Sequence, residues 1–158
     1  AQSKVWSNNE HAKAFQSLGT ANAKQLANKL GFNSNPQEEK ACLICHTKSK
    51  YDENGNELDT TQFKKSYLAS DGVQCEDCHG AGEKYRKKRI MRKIRKEGGA
   101  AVSPTAKKTG LIFPDEQVCK RCHVPEVKIG GTVYKNPTYN GFNFKERVKE
   151  IAHPIPHK

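Results

Sequence analysis

Three copies of Cys-X-X-Cys-His constrain this chain more than anything else in it: Cys42-Leu43-Ile44-Cys45-His46, Cys75-Glu76-Asp77-Cys78-His79 and Cys119-Lys120-Arg121-Cys122-His123. Two cysteines separated by two residues lie about one helical turn apart, which suits the two vinyl groups of a porphyrin. The histidine that follows brings an imidazole to the iron, so the pattern is that of covalent c-type haem attachment. Zinc is the alternative, because paired Cys-X-X-Cys units also build tetrahedral sites. Zinc does not need a histidine directly after the second cysteine, and that placement recurs three times in a chain with six histidines. All six cysteines fall within the motifs, leaving none for disulfides. The expected cofactor-binding residues are Cys42, Cys45, His46, Cys75, Cys78, His79, Cys119, Cys122 and His123, holding three c-type haems and their iron.

Composition makes the polypeptide dependent on such groups. The 158 residues suit one domain, yet only 34% are hydrophobic and the mean hydropathy is −0.89. A chain of that composition buries too little apolar surface to offset its conformational entropy. Three apolar macrocycles would supply the missing core, so the expected fold is mainly α with long loops, a single domain over residues 1–158 whose short helices pack around haems. So many rings in so short a chain lie within electron-transfer distance of one another, and the apoprotein is expected to be largely unfolded.

Lys and Arg outnumber Asp and Glu by 28 to 17, a formal charge of +11. Haem propionates and ferric iron would lower this by about one unit per haem. A basic redox protein fits partners with an acidic docking face, or peripheral contact with an anionic membrane. Nucleic acid is not expected, since no base-reading motif is present and no aromatic residues interleave with a basic run. No apolar stretch is long enough to span a bilayer, and the opening Ala1-Gln2-Ser3 resembles a mature terminus after signal removal. Haem is attached to c-type motifs outside the bacterial cytoplasmic membrane, so the expected location is periplasmic or otherwise exported. The oligomeric state has no signature in the sequence.

Read in order, apolar residues between Lys4 and Leu18 predict an amphipathic helix that includes His11, and 23–30 predicts another ending at Gly31. Asn35-Pro36-Gln37-Glu38 resembles a helix start leading into the first motif. Residues 52–56 read as a turn, and 62–68 are ambiguous between helix and strand. Nine of the 13 residues from Lys84 to Lys96 are basic, with Ile90, Met91 and Ile94 spaced to cover one helical side. This run is either a solvated face or a docking patch, and Met91 is expected in the core rather than on iron. Gly98-Gly99 ends the run, and Phe113-Pro114-Asp115 opens the helix of the third motif. Residues 132–141 are turn-rich, 144–152 are helical, and His153-Pro154-Ile155-Pro156-His157 forms an extended tail. Three irons need sixth ligands, and only His11, His153 and His157 lie outside the motifs.

The sequence resembles the tetrahaem cytochrome c-554 family, best known for accepting electrons from hydroxylamine oxidoreductase. The resemblance is carried by Trp6 with His11-Ala12-Lys13-Ala14, by the segment from Gly72 to Gly82, by the third motif, and by the Phe142–Glu150 stretch ahead of a C-terminal His. The family has a further motif before the Trp segment, and its partner His shortly after Gly80-Ala81-Gly82. There is no His between His79 and His123, so the resemblance implies a three-haem variant lacking the family's first haem. It also implies that His11 coordinates the haem of His79, and that a C-terminal His coordinates the haem of His123. His153 and His157 are both candidates; His153 is favoured because it follows the helix and its flanking prolines fix the backbone. The haem of His46 corresponds to the family member without a protein sixth ligand, with residues 134–139 over it, open to a small molecule such as nitric oxide.

These readings imply a periplasmic electron carrier. No triad, phosphate loop or paired carboxylates point to catalysis. The alternatives are an enzyme acting on a small nitrogen or oxygen species at the His46 haem, and self-assembly by haem stacking.

Overall fold

The computed structural model describes residues 2–52, 54–59, 61, 63–129 and 131–153. These form short α-helices joined by loops, with one two-stranded sheet, in agreement with the helix-rich class the sequence predicts. The chain groups into two compact units, Ala1–Gln74 with Lys120–Lys158, and Cys75–Cys119.

In the first unit the expected helix from Lys4 to Leu18 is broken into three pieces. Helix α1 is Gln2–Ser7, a 3-10 turn covers Glu10–Lys13, and α2 is Ala14–Ser17. The break lies at Asn8-Asn9, where the Asn9 side chain accepts from the His11 amide at 3.0 Å. Asparagine competes in this way with helix propagation, and here it restarts the chain at a new N-cap. Helix α3, Ala21–Lys29, is capped by Thr20, whose hydroxyl accepts from the Ala23 amide. It ends as expected at Gly31, which takes φ +83°. Asn35 caps a turn by accepting from Gln37 N, but α4 begins later than predicted, at Lys40–His46, with Glu39 as its N-cap. Asp52 folds the next turn by accepting from the amides of Asn54 and Asn56. Among the described residues of 62–68 neither helix nor strand forms; Gln62 lies outside the described residues.

The stretch expected to be turn-rich contains a strand. β1, Glu126–Ile129, pairs antiparallel with β2, Thr132–Lys135, with Val127 opposite Tyr134 and Ile129 opposite Thr132. Helix α9, Phe144–Ile151, forms as predicted. The prolines and His157 of the C-terminal tail lie outside the described residues. Leu18, Leu43, Ile44, Tyr51 and Ile129 form this unit's core, with Phe15, Val127 and Tyr134 packed against it.

The second unit holds α5 (Cys75–His79), α6 (Lys88–Lys96), α7 (Pro104–Thr109) and α8 (Glu116–Cys119). Ser103 caps α7, with Pro104 at its first position, and Glu97 braces that cap by accepting from the Ser103 hydroxyl and from the amide and hydroxyl of Thr105. The core is Tyr85, Ile94, Ala106 and Leu111, with Ile90 alongside. Met91 departs from the expectation of core packing: Ile94 is 2% exposed, whereas Met91 is 37% exposed. Ile90 and Ile94, one turn apart, share the buried side, and the next position is rotated about 100° away from Ile90. No described helix is long and apolar enough to cross a membrane.

Candidate cofactor-attachment sites

Each motif is set by its local cap. In the first, Glu39 accepts from the Ala41 amide and is held in turn by the Ser34 hydroxyl. Leu43 and Ile44 anchor one side of α4 in the core, so Cys42, Cys45 and His46, related by three and four positions, share another side of the helix. The His46 Nδ1 lies 2.6 Å from the Ala14 carbonyl at the start of α2. A carbonyl can only accept, so Nδ1 carries the proton and Nε2 keeps the lone pair a metal needs.

The second motif repeats this arrangement with different neighbours. His79 Nδ1 donates to the Ile112 carbonyl at 3.0 Å, and the Ile112 amide donates back to the His79 carbonyl at 2.9 Å. The strand of chain that makes this clamp approaches closely. A Cβ on Gly80 would lie 2.7 Å from the Gly110 carbonyl, and Gly80 has φ +75°. The Tyr85 hydroxyl donates to the Gly80 carbonyl, and Glu76 accepts from the Gly82 amide. Cys75 is the most exposed class of the six cysteines, the others being intermediate.

The third motif departs from the expected helix. α8 ends at Cys119, so Cys122 and His123 lie in the following turn. Asp115 caps the helix by accepting from Val118 N, as the Phe113-Pro114-Asp115 reading anticipated. The His123 ring stacks on Phe142, with centroids 4.7 Å apart, and the His11 ring meets it edge-on at 6.0 Å. Burial, then the Arg147 cation, holds His123 below the usual imidazole range; burial, then His123, does the same to His11. Both effects favour the neutral imidazole required of an iron ligand.

The thiols differ in environment. Burial, reinforced by Glu39 and Cys45, raises Cys42 to about 11. Cys45 is drawn down by a hydrogen bond with the Cys122 thiol and by Lys48, against the opposing effect of burial. Cys75 and Cys119 are raised, chiefly by burial. The first and third motifs thus meet at Cys45 and Cys122.

Among the predicted sixth ligands, His11 lies in the first unit beside His123, whereas His79 belongs to the second unit. His153 follows α9 after a single residue and is partly buried; His157 lies outside the described residues. Tyr134 packs against the same core as Cys42 and Cys45, and its ring meets Phe32 at 5.6 Å. The carbonyls of Ala14 and Ile112 are functional groups that sequence reasoning missed, because a backbone acceptor has no residue-type signature.

The residues fit covalent haem: paired cysteines on or beside a short helix, followed by a histidine that in two motifs is held through Nδ1 by a backbone carbonyl. Among the described residues no three His, Cys, Asp or Glu side chains converge on a common metal position. The arrangement is the one expected of a c-type cytochrome, a class in which covalently held haem iron serves electron transfer. Residues 1–80 match the family described as Cytochrome c554 and c-prime. Over 96% of its length the chain is 31% identical to cytochrome c-554 of Nitrosomonas europaea, 68% of which is covered. No solved structure matches the chain. The chain belongs to the cytochrome c-554 family.

Proposed function

We propose that this chain is an exported electron carrier with three c-type haems, one at each motif. When bound, the group supplies one-electron chemistry between ferric and ferrous iron. The observation that supports this most is the matched treatment of His46 and His79, each donating Nδ1–H to a backbone carbonyl. This fixes tautomer and ring orientation and raises the basicity of Nε2, as partners of metal-bound histidines do. Phe142 orients His123 by stacking, and the neutral state of that ring is favoured by its burial. The cysteines supply thioethers. By the family resemblance, His11 and His153 would supply sixth ligands to the haems of His79 and His123, with His157 the alternative to His153, and the haem of His46 would have no protein sixth ligand.

The pyridine haemochrome spectrum with intact mass tests the proposal: c-type absorption and a mass increment of three haems are expected. Any other count for this chain overturns it. Paramagnetic resonance of the oxidised protein tests the ligation, with two low-spin signals and one high-spin signal expected; three low-spin signals would show that a protein side chain closes the His46 site.

A further inference from the structure

We infer that the basic face of α6, in the second unit, is the docking surface for an acidic redox protein. This rests on the electron-carrier reading and adds the side of the molecule that does the recognising.

The nine Lys and Arg side chains between Lys84 and Lys96 are all exposed. Helix α6 has no freedom to roll, because Ile90 and Ile94 are committed to the core made by Tyr85, Ala106 and Leu111. Its remaining circumference is therefore a fixed array of cations. Lys93 reaches Glu97 at 3.8 Å, but Glu97 is already held by Ser103 and Thr105, so that carboxylate offsets only part of the charge. The field extends beyond the helix to a cleft of about 320 Å³ lined by Lys84, Lys107 and Lys108, with Glu83 at its wall. Within the array, Met91 stands 37% exposed, with Lys87 and Arg95 one turn before and after it. An adaptable apolar side chain ringed by charge has the anatomy of a protein interface, whose centre is apolar and whose rim is polar.

The same features disfavour a lipid surface. A helix that lies in a bilayer interface needs an apolar side to insert, and here Ile90 and Ile94 are occupied, leaving Met91 alone. Carboxylates on a protein partner match the cations without insertion, steer the encounter and raise its rate by one to three orders of magnitude at low salt.

The test uses the haem-loaded full chain, with flavodoxin hydroquinone as an acidic one-electron donor. One variant carries Lys88→Gln, Arg89→Gln, Arg92→Gln and Lys96→Gln; a second removes the same charge from exposed positions of the first unit, with Lys24, Lys29, Lys64 and Lys65 changed to Gln. At low ionic strength the α6 variant is expected to lose at least about tenfold in flavodoxin affinity and in the bimolecular rate, and to lose most of its salt dependence. The control variant should stay within about twofold of the parent, which itself should slow steeply as salt rises. Equal losses in both variants would mean net charge alone acts, and no loss in either would make α6 a solvated face; each result overturns the inference. So does a loss of binding to phosphatidylglycerol vesicles with flavodoxin binding unchanged, which would assign the face to a membrane. Failure of dithionite to reduce the parent protein is a separate outcome that would overturn the electron-carrier reading itself.

Discussion

Two histidines in equivalent motif positions are not in equivalent surroundings. The Ala14 carbonyl receives His46 Nδ1 at 2.6 Å and also the Ser17 hydroxyl at 2.7 Å, whereas the Ile112 carbonyl receives His79 Nδ1 at 3.0 Å. Two donors on one oxygen each withdraw electron density from the other, and at 2.7 Å this competition outweighs the longer 3.4 Å approach of the Ser17 hydroxyl to Nδ1 itself, so the Ser17 hydroxyl would weaken the bond that makes His46 a more basic ligand. Ser17→Ala should strengthen that bond and favour ferric iron at the first motif. Half the net worth of a typical hydrogen bond, ~0.5 kcal/mol, corresponds to about 20 mV for one electron at 59 mV per decade. Potentiometric titration should show one haem potential lowered by that order and the others unmoved; an upward shift would contradict the competition. At this scale the six cysteines and three motif histidines carry their own signature in the sequence, through residue type and spacing alone. Ala14 and Ile112 were not legible, since what they contribute is a carbonyl that any residue owns.

Among the elements, α3, which ends at Gly31, and α9 formed where the sequence placed them. Helix α7, started by Ser103-Pro104, lies where the sequence reads as a loop running from Gly98-Gly99 through Pro104. The failures have physical causes. Asn9 captures the His11 amide and divides a periodic stretch that reads as one helix. The pairing of 126–129 with 132–135 is a cross-strand property, and two strands of four residues offer too few alternations to announce it. The clamp of α5 onto residues 110–112 carries a sharper prediction. Gly80→Ala places a methyl against the Gly110 carbonyl and holds a non-glycine residue at φ +75°; strain of this kind costs ~1–3 kcal/mol. Thermal denaturation should shift down, and the fraction of chains lacking the second haem should rise by mass. Full loading with unchanged stability would show that the clamp is loose.

For the whole molecule, the apolar cores are small. Among the described residues five buried side chains make the first and four make the second, while Phe113 is 63% exposed, Leu68 56% and Val133 54%. Neither cluster offsets the entropy of ordering its unit from polypeptide burial alone. A chain with all six cysteines changed to Ala should therefore lose most of its helical circular dichroism and melt without a cooperative transition, whereas the haem-loaded protein should melt sigmoidally. A native-like sigmoidal melt of the cysteine-free chain would show that the polypeptide folds unaided.

The meeting of Cys45 and Cys122 also bears on biogenesis. In the folded chain two adjoining thiols, one of them drawn towards thiolate by the hydrogen bond between them, would cross-link under oxidising conditions wherever thioethers had not formed. A single Cys45–Cys122 bridge would disable the first and third motifs together, so attachment at either one protects the other. Peptide mapping of folded chain loaded at the second motif alone should find that bridge ahead of other pairings, and Cys122→Ala should leave Cys45 open to alkylation.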